Sequence, residues 1–271
     1  SVKLVWFPNY TDSISALSSG QLDANSQTWS DTMAPLAKGI ALKAILVNDN
    51  SAGNDALMVN PKIKSFADLK GKKVALEEFS ISHFVLVTAL TANGMILADV
   101  QVVNLAAGDA AAAFLAGRVD AAVVWNPWVN QIQTSGKGKA LFTSKDMPGL
   151  VPDLLVAQEK SIASNRNDFI GMIKAWYDTE AFIRSKPDEA AKIMAKVVGL
   201  KPNEYKVFLP GTRFFGQQEN LQALGGADQK QSLLAVAPTI EKFLTDNKLL
   251  EGTVDFAKGI DASLVTEVAK K

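Results

Sequence analysis

The sequence predicts an α/β protein of two lobes facing each other across a cleft, and two observations carry the prediction. The first is a repeated phrase. Ala16-Leu17-Ser18-Ser19-Gly20-Gln21-Leu22-Asp23-Ala24, followed by Trp29, returns as Ala113-Phe114-Leu115-Ala116-Gly117-Arg118-Val119-Asp120-Ala121, followed by Trp125. Each copy reads as a helix, a glycine turn and a strand that opens on Asp-Ala and leads to a tryptophan. Glycine stands where a helix C-terminus needs a left-handed residue. Two such units far apart give each lobe its own sheet. Ligands of open α/β sheets sit beyond the carboxyl ends of the strands, so Trp29 and Trp125 are both expected at a ligand-facing edge. The second observation is a pair of extended apolar segments, 55–60 and 153–158. They read as hinge strands, at about 56–61 and 152–158, crossing between the lobes. Lobe 1 is then 1–57 with 157–271, and lobe 2 is 62–152.

The elements follow in order. Residues 2–7 (Val-Lys-Leu-Val-Trp-Phe) are strand-like and Pro8 ends them. Asp12 or Ser13 can cap a helix running to Gly20. Residues 22–26 make a short strand, 27–31 a polar loop, and 32–38 a helix stopped at Gly39. Residues 42–47 are a strand. The stretch from Asn48 to Asp55 is dense in turn residues and side-chain hydrogen-bonding groups. Between the hinges, strands are expected at 73–76, 100–104 and 121–125, with helices at 82–93, 109–116 and 127–134. Beyond the second hinge, apolar spacing predicts helices over 167–185, 187–198 and 229–247, which dock back onto the first lobe.

Composition narrows the class. The 271 residues hold 28 basic and 28 acidic side chains, one histidine and no cysteine. Neutrality argues against a nucleic-acid surface, which needs a basic excess. The lack of cysteine removes disulfides, thiolate metal sites and cysteine nucleophiles. A single histidine, His83, cannot build a metal site. No apolar run reaches the roughly 18–20 residues that span a bilayer. The chain opens on a strand pattern rather than a signal peptide.

Ser65-Phe66-Ala67-Asp68-Leu69-Lys70-Gly71-Lys72-Lys73-Val74-Ala75 resembles the entry to the second lobe of periplasmic solute-binding proteins. Together with the two Gly-x-x-Asp-Ala turns and Ser51-Ala52-Gly53-Asn54-Asp55, nearly the whole chain resembles the nitrate, sulfonate and taurine type of ABC importers. The resemblance implies a periplasmic-binding-protein (Venus flytrap) fold and a monomer held in the periplasm or on a lipid anchor. It implies a small ligand in the cleft and a membrane permease as partner, with no nucleic acid, metal, cofactor or catalytic step. The family pattern starts with a further strand and helix ahead of the equivalent of Val2.

The site expectations divide by lobe. Glu77 to Phe84 follows a strand and opens a helix, whose free N–H groups and positive dipole end suit an anion. In the resembling family this turn meets the ligand's anionic end, so Ser80, Ser82 and His83 are candidates; equally, Ser80 or Ser82 caps the helix. Trp29 and Trp125 offer aromatic faces or fill the core. Ser30, Asp31, Asn50, Ser51 and Asp55 supply polar groups, although Asp31 and Asp55 also suit caps. Asn126 caps or contacts ligand. Arg213 pairs with an anion or with a surface acid. At least one of Glu77 and Glu78 is expected near the cleft, where it repels a plain sulfonate and attracts an amine. The expected solute is therefore anionic or zwitterionic: taurine, an alkanesulfonate, or an ω-amino acid such as γ-aminobutyrate. A heteroaromatic precursor of the thiamine pyrimidine is the alternative within the binding class, since the tryptophans can stack on a ring. An enzyme of the same fold is the alternative outside it; no nucleophile motif or phosphate loop supports that reading.

Overall fold

The computed structural model describes residues 2–226 and 232–270. In chain order the elements are α1 (Tyr10–Ser18), β1 (Ala24–Thr28), α2 (Trp29–Ala37), β2 (Leu42–Ser51), β3 (Asp55–Val59), β4 (Lys73–Leu76) and α3 (Ile81–Ala92). Then come β5 (Gln101–Asn104), α4 (Ala107–Leu115), β6 (Ala121–Trp125), α5 (Trp128–Thr134), β7 (Lys139–Thr143) and β8 (Pro152–Gln158). The rest is α6 (Glu159–Ser164), α7 (Arg166–Ser185), α8 (Pro187–Val197), α9 (Pro202–Lys206), β9 (Thr212–Phe214), α10 (Gln217–Ala223), α11 (Leu233–Asp246) and α12 (Ser263–Ala269). Of the helix expected over 229–247, residues 229–231 lie outside the described residues.

Two sheets form. One is fully antiparallel, in the order β1-β8-β2-β9. The other runs β5-β4-β6-β3-β7, with β4 parallel to β5 and β6, and β3 antiparallel to β6 and β7. The fold class is α/β with two sheets, as expected. The repeated αβ units both close on a left-handed glycine, Gly20 at φ 80° and Gly117 at φ 70°.

Several boundaries differ from the sequence reading. Residues 2–7 form no strand, and Leu4 and Trp6 are 77% and 80% exposed. Strand propensity needs a ladder partner, and no described strand pairs with this segment. The first helix starts after Asn9, not Asp12 or Ser13, and Asp12 instead accepts from Asn9 Nδ2 (3.0 Å). Residues 27–31 are not a loop: they end β1 and open α2, whose cap is Thr28, its Oγ1 accepting from the Asp31 N–H (3.3 Å). Strand β2 continues through Asn48–Ser51, leaving only 52–54 as the turn, with Gly53 at φ 125°. The two segments expected as hinges each form a strand of a single sheet. β3 pairs only within the five-stranded sheet and β8 only within the four-stranded one, so the chain changes sheet at 52–54 and 144–151.

Helix α3 is buried from Ile81 to Leu90 and apolar there apart from Ser82, His83 and Thr88, as suits a helix enclosed by protein. It joins one large core holding residues of both sheets, including Leu46 and Val156 from one and Leu57 and Leu76 from the other. A smaller core, with Met58, Val124, Phe114 and Ile132, lies under α4 and α5.

The β2–β8 ladder is irregular twice, at Ile45 and at Asn48, and the second irregularity places the site. Val47 pairs with Leu154, but the next partner of Asp153 is Asp49, leaving Asn48 as an extra residue in β2. Such a bulge changes which side chain faces which side. It is held by the buried Asn220. Its Oδ1 accepts from the Val47 N–H (2.7 Å), and its Nδ2 donates to the carbonyls of Val47 (2.9 Å) and Gly216 (3.1 Å). Asn220→Ala strands these buried backbone groups, each costing about 1–3 kcal/mol. Urea denaturation is expected to show a lower midpoint with an unchanged m-value.

Candidate functional site

A cleft of about 330 Å³ is lined from both sheets. Its floor is one cross-strand row of the antiparallel sheet. Thr28 lies opposite Asp153, Asp153 opposite Asp49, and Asp49 opposite Phe214. Ser51 and Thr212 form the adjoining pair. The other sheet contributes Asp55 directly across from Trp125. Tyr10, the first residue of α1, packs edge-on against the Trp125 ring at 5.8 Å. Tyr205 and Phe208, edge to face at 4.6 Å, complete the wall, and Ile81 marks the start of α3.

The electrostatics are one-sided. Three carboxylates line this space and no lysine, arginine or histidine does. Burial, together with the charge of Asp55, pushes Asp49 up to about 7. Burial pushes Asp55 up to about 6, against a hydrogen bond from Ser51. Asp153 is raised well above the carboxylate range, by burial and then by the charges of Asp49, Asp55 and Asp31. Just behind, Asp31 is raised to about 7 by burial, although Thr28 (2.8 Å), Tyr10 and the Ile81 N–H (3.2 Å) all hydrogen-bond it.

The residues expected from sequence scatter. Ser51, Asp55, Trp125 and Asn126 line the cleft. Trp29 does not: as the first residue of α2 it is fully buried in the core, its ring close to Gly259. The two tryptophans part because Trp125 is the last residue of a strand, whereas Trp29 already belongs to a helix. Ser30 is buried against Thr28 Oγ1 (2.9 Å) and Asp31. Ser80 caps α3: its Oγ accepts from the Ser82 N–H (3.2 Å) and donates to the Glu77 carbonyl (2.7 Å). Ser82 is buried in the same turn. His83 Nδ1 accepts from the Phe79 N–H (3.3 Å), and burial lowers the ring to about 4, so it is neutral near pH 7. Glu77 is buried, accepting from the Thr11 N–H and hydroxyl (2.8 Å each). Glu78 is half-buried, and neither glutamate lines the cleft. In β9 the alternation sends Thr212 and Phe214 to the cleft, while Arg213 lies over the Phe215 ring at 5.2 Å. Asn126 is engaged: its Nδ2 donates to Asn54 Oδ1 (2.8 Å) and its Oδ1 accepts from the Asn130 N–H (3.0 Å).

The residues that sequence reading missed are Asp49, Asp153 and the aromatic wall of Tyr10, Tyr205, Phe208 and Phe214. Asp49 stood in the polar 48–55 stretch and Asp153 at the head of an extended segment. Their pairing depends on the bulge, which has no sequence signature.

The fold and site define a two-sheet α/β protein with an inter-sheet cleft. Residues 1–190 match the family described as NMT1/THI5 like, and the chain belongs to that family. A putative aliphatic sulfonates-binding protein of Escherichia coli (strain K12) is 30% identical over 203 residues, 73% of this chain and 63% of the relative. The taurine-binding periplasmic protein of the same organism is 24% identical over 80% of this chain and 70% of its own. The chain thus spans less than two thirds of the first of these relatives. The crystal structure of the periplasmic aliphatic sulphonate binding protein SsuA from Escherichia coli superposes with a TM-score of 0.77 at 25% identity, covering 94% of this chain and 80% of that one.

Asp49 carries a pH signature. Its carboxyl moves from 3.8 to about 7 on folding, so between those values the folded state binds more protons than the unfolded. Its contribution to stability therefore falls as pH rises from about 4 to 7, then levels. His83, lowered from 6.5 to about 4, acts in the opposite sense over that window, so the comparison must be with a variant. Asp49→Asn is expected to stabilise the empty protein at pH 8, and to do so much less at pH 4.5, by urea denaturation at each pH.

Proposed function

We propose that this chain captures a small solute outside the cytoplasmic membrane and delivers it to the permease of an ABC importer. The single observation that supports the reading is the cleft, whose lining comes from both sheets, with the chain crossing between them at 52–54 and 144–151. A solute touching both walls favours the closed arrangement by its differential affinity for it. Hinge closure then presents a joined surface for the permease. No bond is made or broken: among the described residues the polar groups of the cleft are carboxylates, amides and hydroxyls without a nucleophile–base pair. The relatives' names, sulfonate- and taurine-binding, make small charged solutes the first candidates.

Trp125 supplies the readout. Its ring sits half-buried at the cleft edge, against Tyr10. A bound solute is expected to raise the thermal midpoint of the purified chain by mass action, about 2.7 kcal/mol at one hundred times Kd. The same solute is expected to bind one per chain and to change tryptophan emission. Trp125→Ala is expected to weaken that binding by about tenfold or more, the range of a buried aromatic anchor, measured by calorimetry. A panel of anions, zwitterions, cations and neutral heterocycles that yields no stoichiometric binder overturns the proposal.

A further inference from the structure

We infer that the cleft takes an organic cation, its positive group resting on the floor made by Asp49, Asp153 and Asp55 and its apolar part held by the aromatic wall. This rests on the solute-capture reading above and names the solute's class. Three independent features carry it. The first is uncompensated charge. Three carboxylates face one small space, no basic side chain lines it, and among the described residues none of the three is in an ion pair. An anion entering there finds no basic side chain, and each of the three carboxyls that is ionised repels it at short range in a poorly screened interior.

The second feature is that the natural place for an anion is already filled. The first turn of α3 has the free amides and dipole that hold a carboxylate or sulfonate. Here the Ile81 N–H donates to Asp31 Oδ2 (3.2 Å), the Ser82 N–H to Ser80 Oγ (3.2 Å), and the His83 N–H to the Ser80 carbonyl (2.9 Å). The chain's own Asp31 stands where an anionic head group would. It is buried and fixed by Thr28 and Tyr10 as well, so displacing it exposes a hydrogen-bonded carboxylate to nothing better.

The third feature is the wall. Tyr10, Trp125, Tyr205, Phe208 and Phe214 border the same space, and aromatic faces attract cations, most strongly when both are desolvated. The wall also separates an organic cation from a metal ion. Among the described residues no group of three His, Cys, Asp or Glu is arranged to hold a metal, whereas a carboxylate floor under aromatic faces suits an ammonium or guanidinium on a carbon skeleton.

The inference has a signature that a structural role would not produce. In the empty protein, burial favours the protonated carboxyls to different degrees, with Asp55 raised to about 6, Asp49 to about 7 and Asp153 well above the carboxylate range, so part of the floor carries protons at pH 7. A cation that takes the protons' place expels them, and binding is linked to proton release. The titratable groups facing the space or packed behind it are Tyr10 on α1, Asp31 on α2, Asp49 on β2, Asp55 on β3, Asp153 on β8 and Tyr205 on α9. None becomes more positive when a cation arrives.

The test is calorimetry on the whole chain at pH 7 in two buffers of different ionisation enthalpy. The probes are choline, agmatine and putrescine as cations, taurine as zwitterion and ethanesulfonate as anion. Asp49→Asn and Asp55→Asn serve as variants, with folding checked by circular dichroism and thermal midpoint. The expected result is one-to-one binding of at least one cation, with proton release. Its affinity should rise between pH 5.5 and 7.5, and fall about tenfold or more in either folded variant. Ethanesulfonate should not bind. One-to-one binding of ethanesulfonate or taurine alone, with affinity kept or improved in Asp49→Asn, overturns the cation class and leaves solute capture standing. Binding by no class of probe overturns both.

Discussion

The structure depends on a misfit in a ladder, the second of two in the β2–β8 pairing. Asn48 is an extra residue in β2, and because of it Asp49 rather than Asn48 lies opposite Asp153. Asn220, from a helix more than 170 positions along the chain, takes the Val47 amide and carbonyl that the irregular ladder cannot serve. One buried amide side chain thus fixes the face of the strand, the face fixes the row Thr28–Asp153–Asp49–Phe214, and the row gives the cleft its charge. Bulges near binding sites re-aim side chains in this way.

That charge has an energetic consequence throughout the site. Buried carboxylates without a counter-charge stay tolerable by keeping protons, and here Asp49 and Asp153 also hydrogen-bond each other. The raised Asp31, Asp49, Asp55 and Asp153 show the same cause at four neighbouring points. Hydrogen bonds from Thr28, Tyr10 and Ser51 soften the penalty without removing it. A site held in this condition is primed for something that supplies the missing positive charge. The interior has a second link with the same chemistry: Glu77 ties the β4–α3 turn to α1 through the Thr11 amide and hydroxyl. Carboxylates thereby join the helices of one sheet to the turns of the other at two places, Asp31 to Ile81 and Glu77 to Thr11.

The repeated αβ phrase illustrates how far local likeness reaches. Both copies build a helix, a left-handed glycine and a strand. The strands then enter different surroundings: β1 is an antiparallel edge beside β8, and β6 is an inner strand parallel to β4. The tryptophans at their ends follow the surroundings rather than the phrase, one into the core and one to the cleft.

The sequence alone determined the α/β class, the two sheets, the glycine turns and most helices, because these follow from short-range spacing and from backbone preferences of single residues. It also carried the family, through motifs spread over the chain in a fixed order. It pointed to Ser51, Asp55, Trp125 and Asn126, each beside a strand end or a turn. Tertiary structure decided the rest. Only the surrounding sheet could leave 2–7 unpaired, bury Trp29, turn Arg213 away from Thr212 and Phe214, and close the α3 start with Asp31. Asp49 and Asp153 stand about one hundred residues apart, and only a bulge held from a third segment brings them face to face. Pairings of that kind depend on long-range register, which no local pattern records.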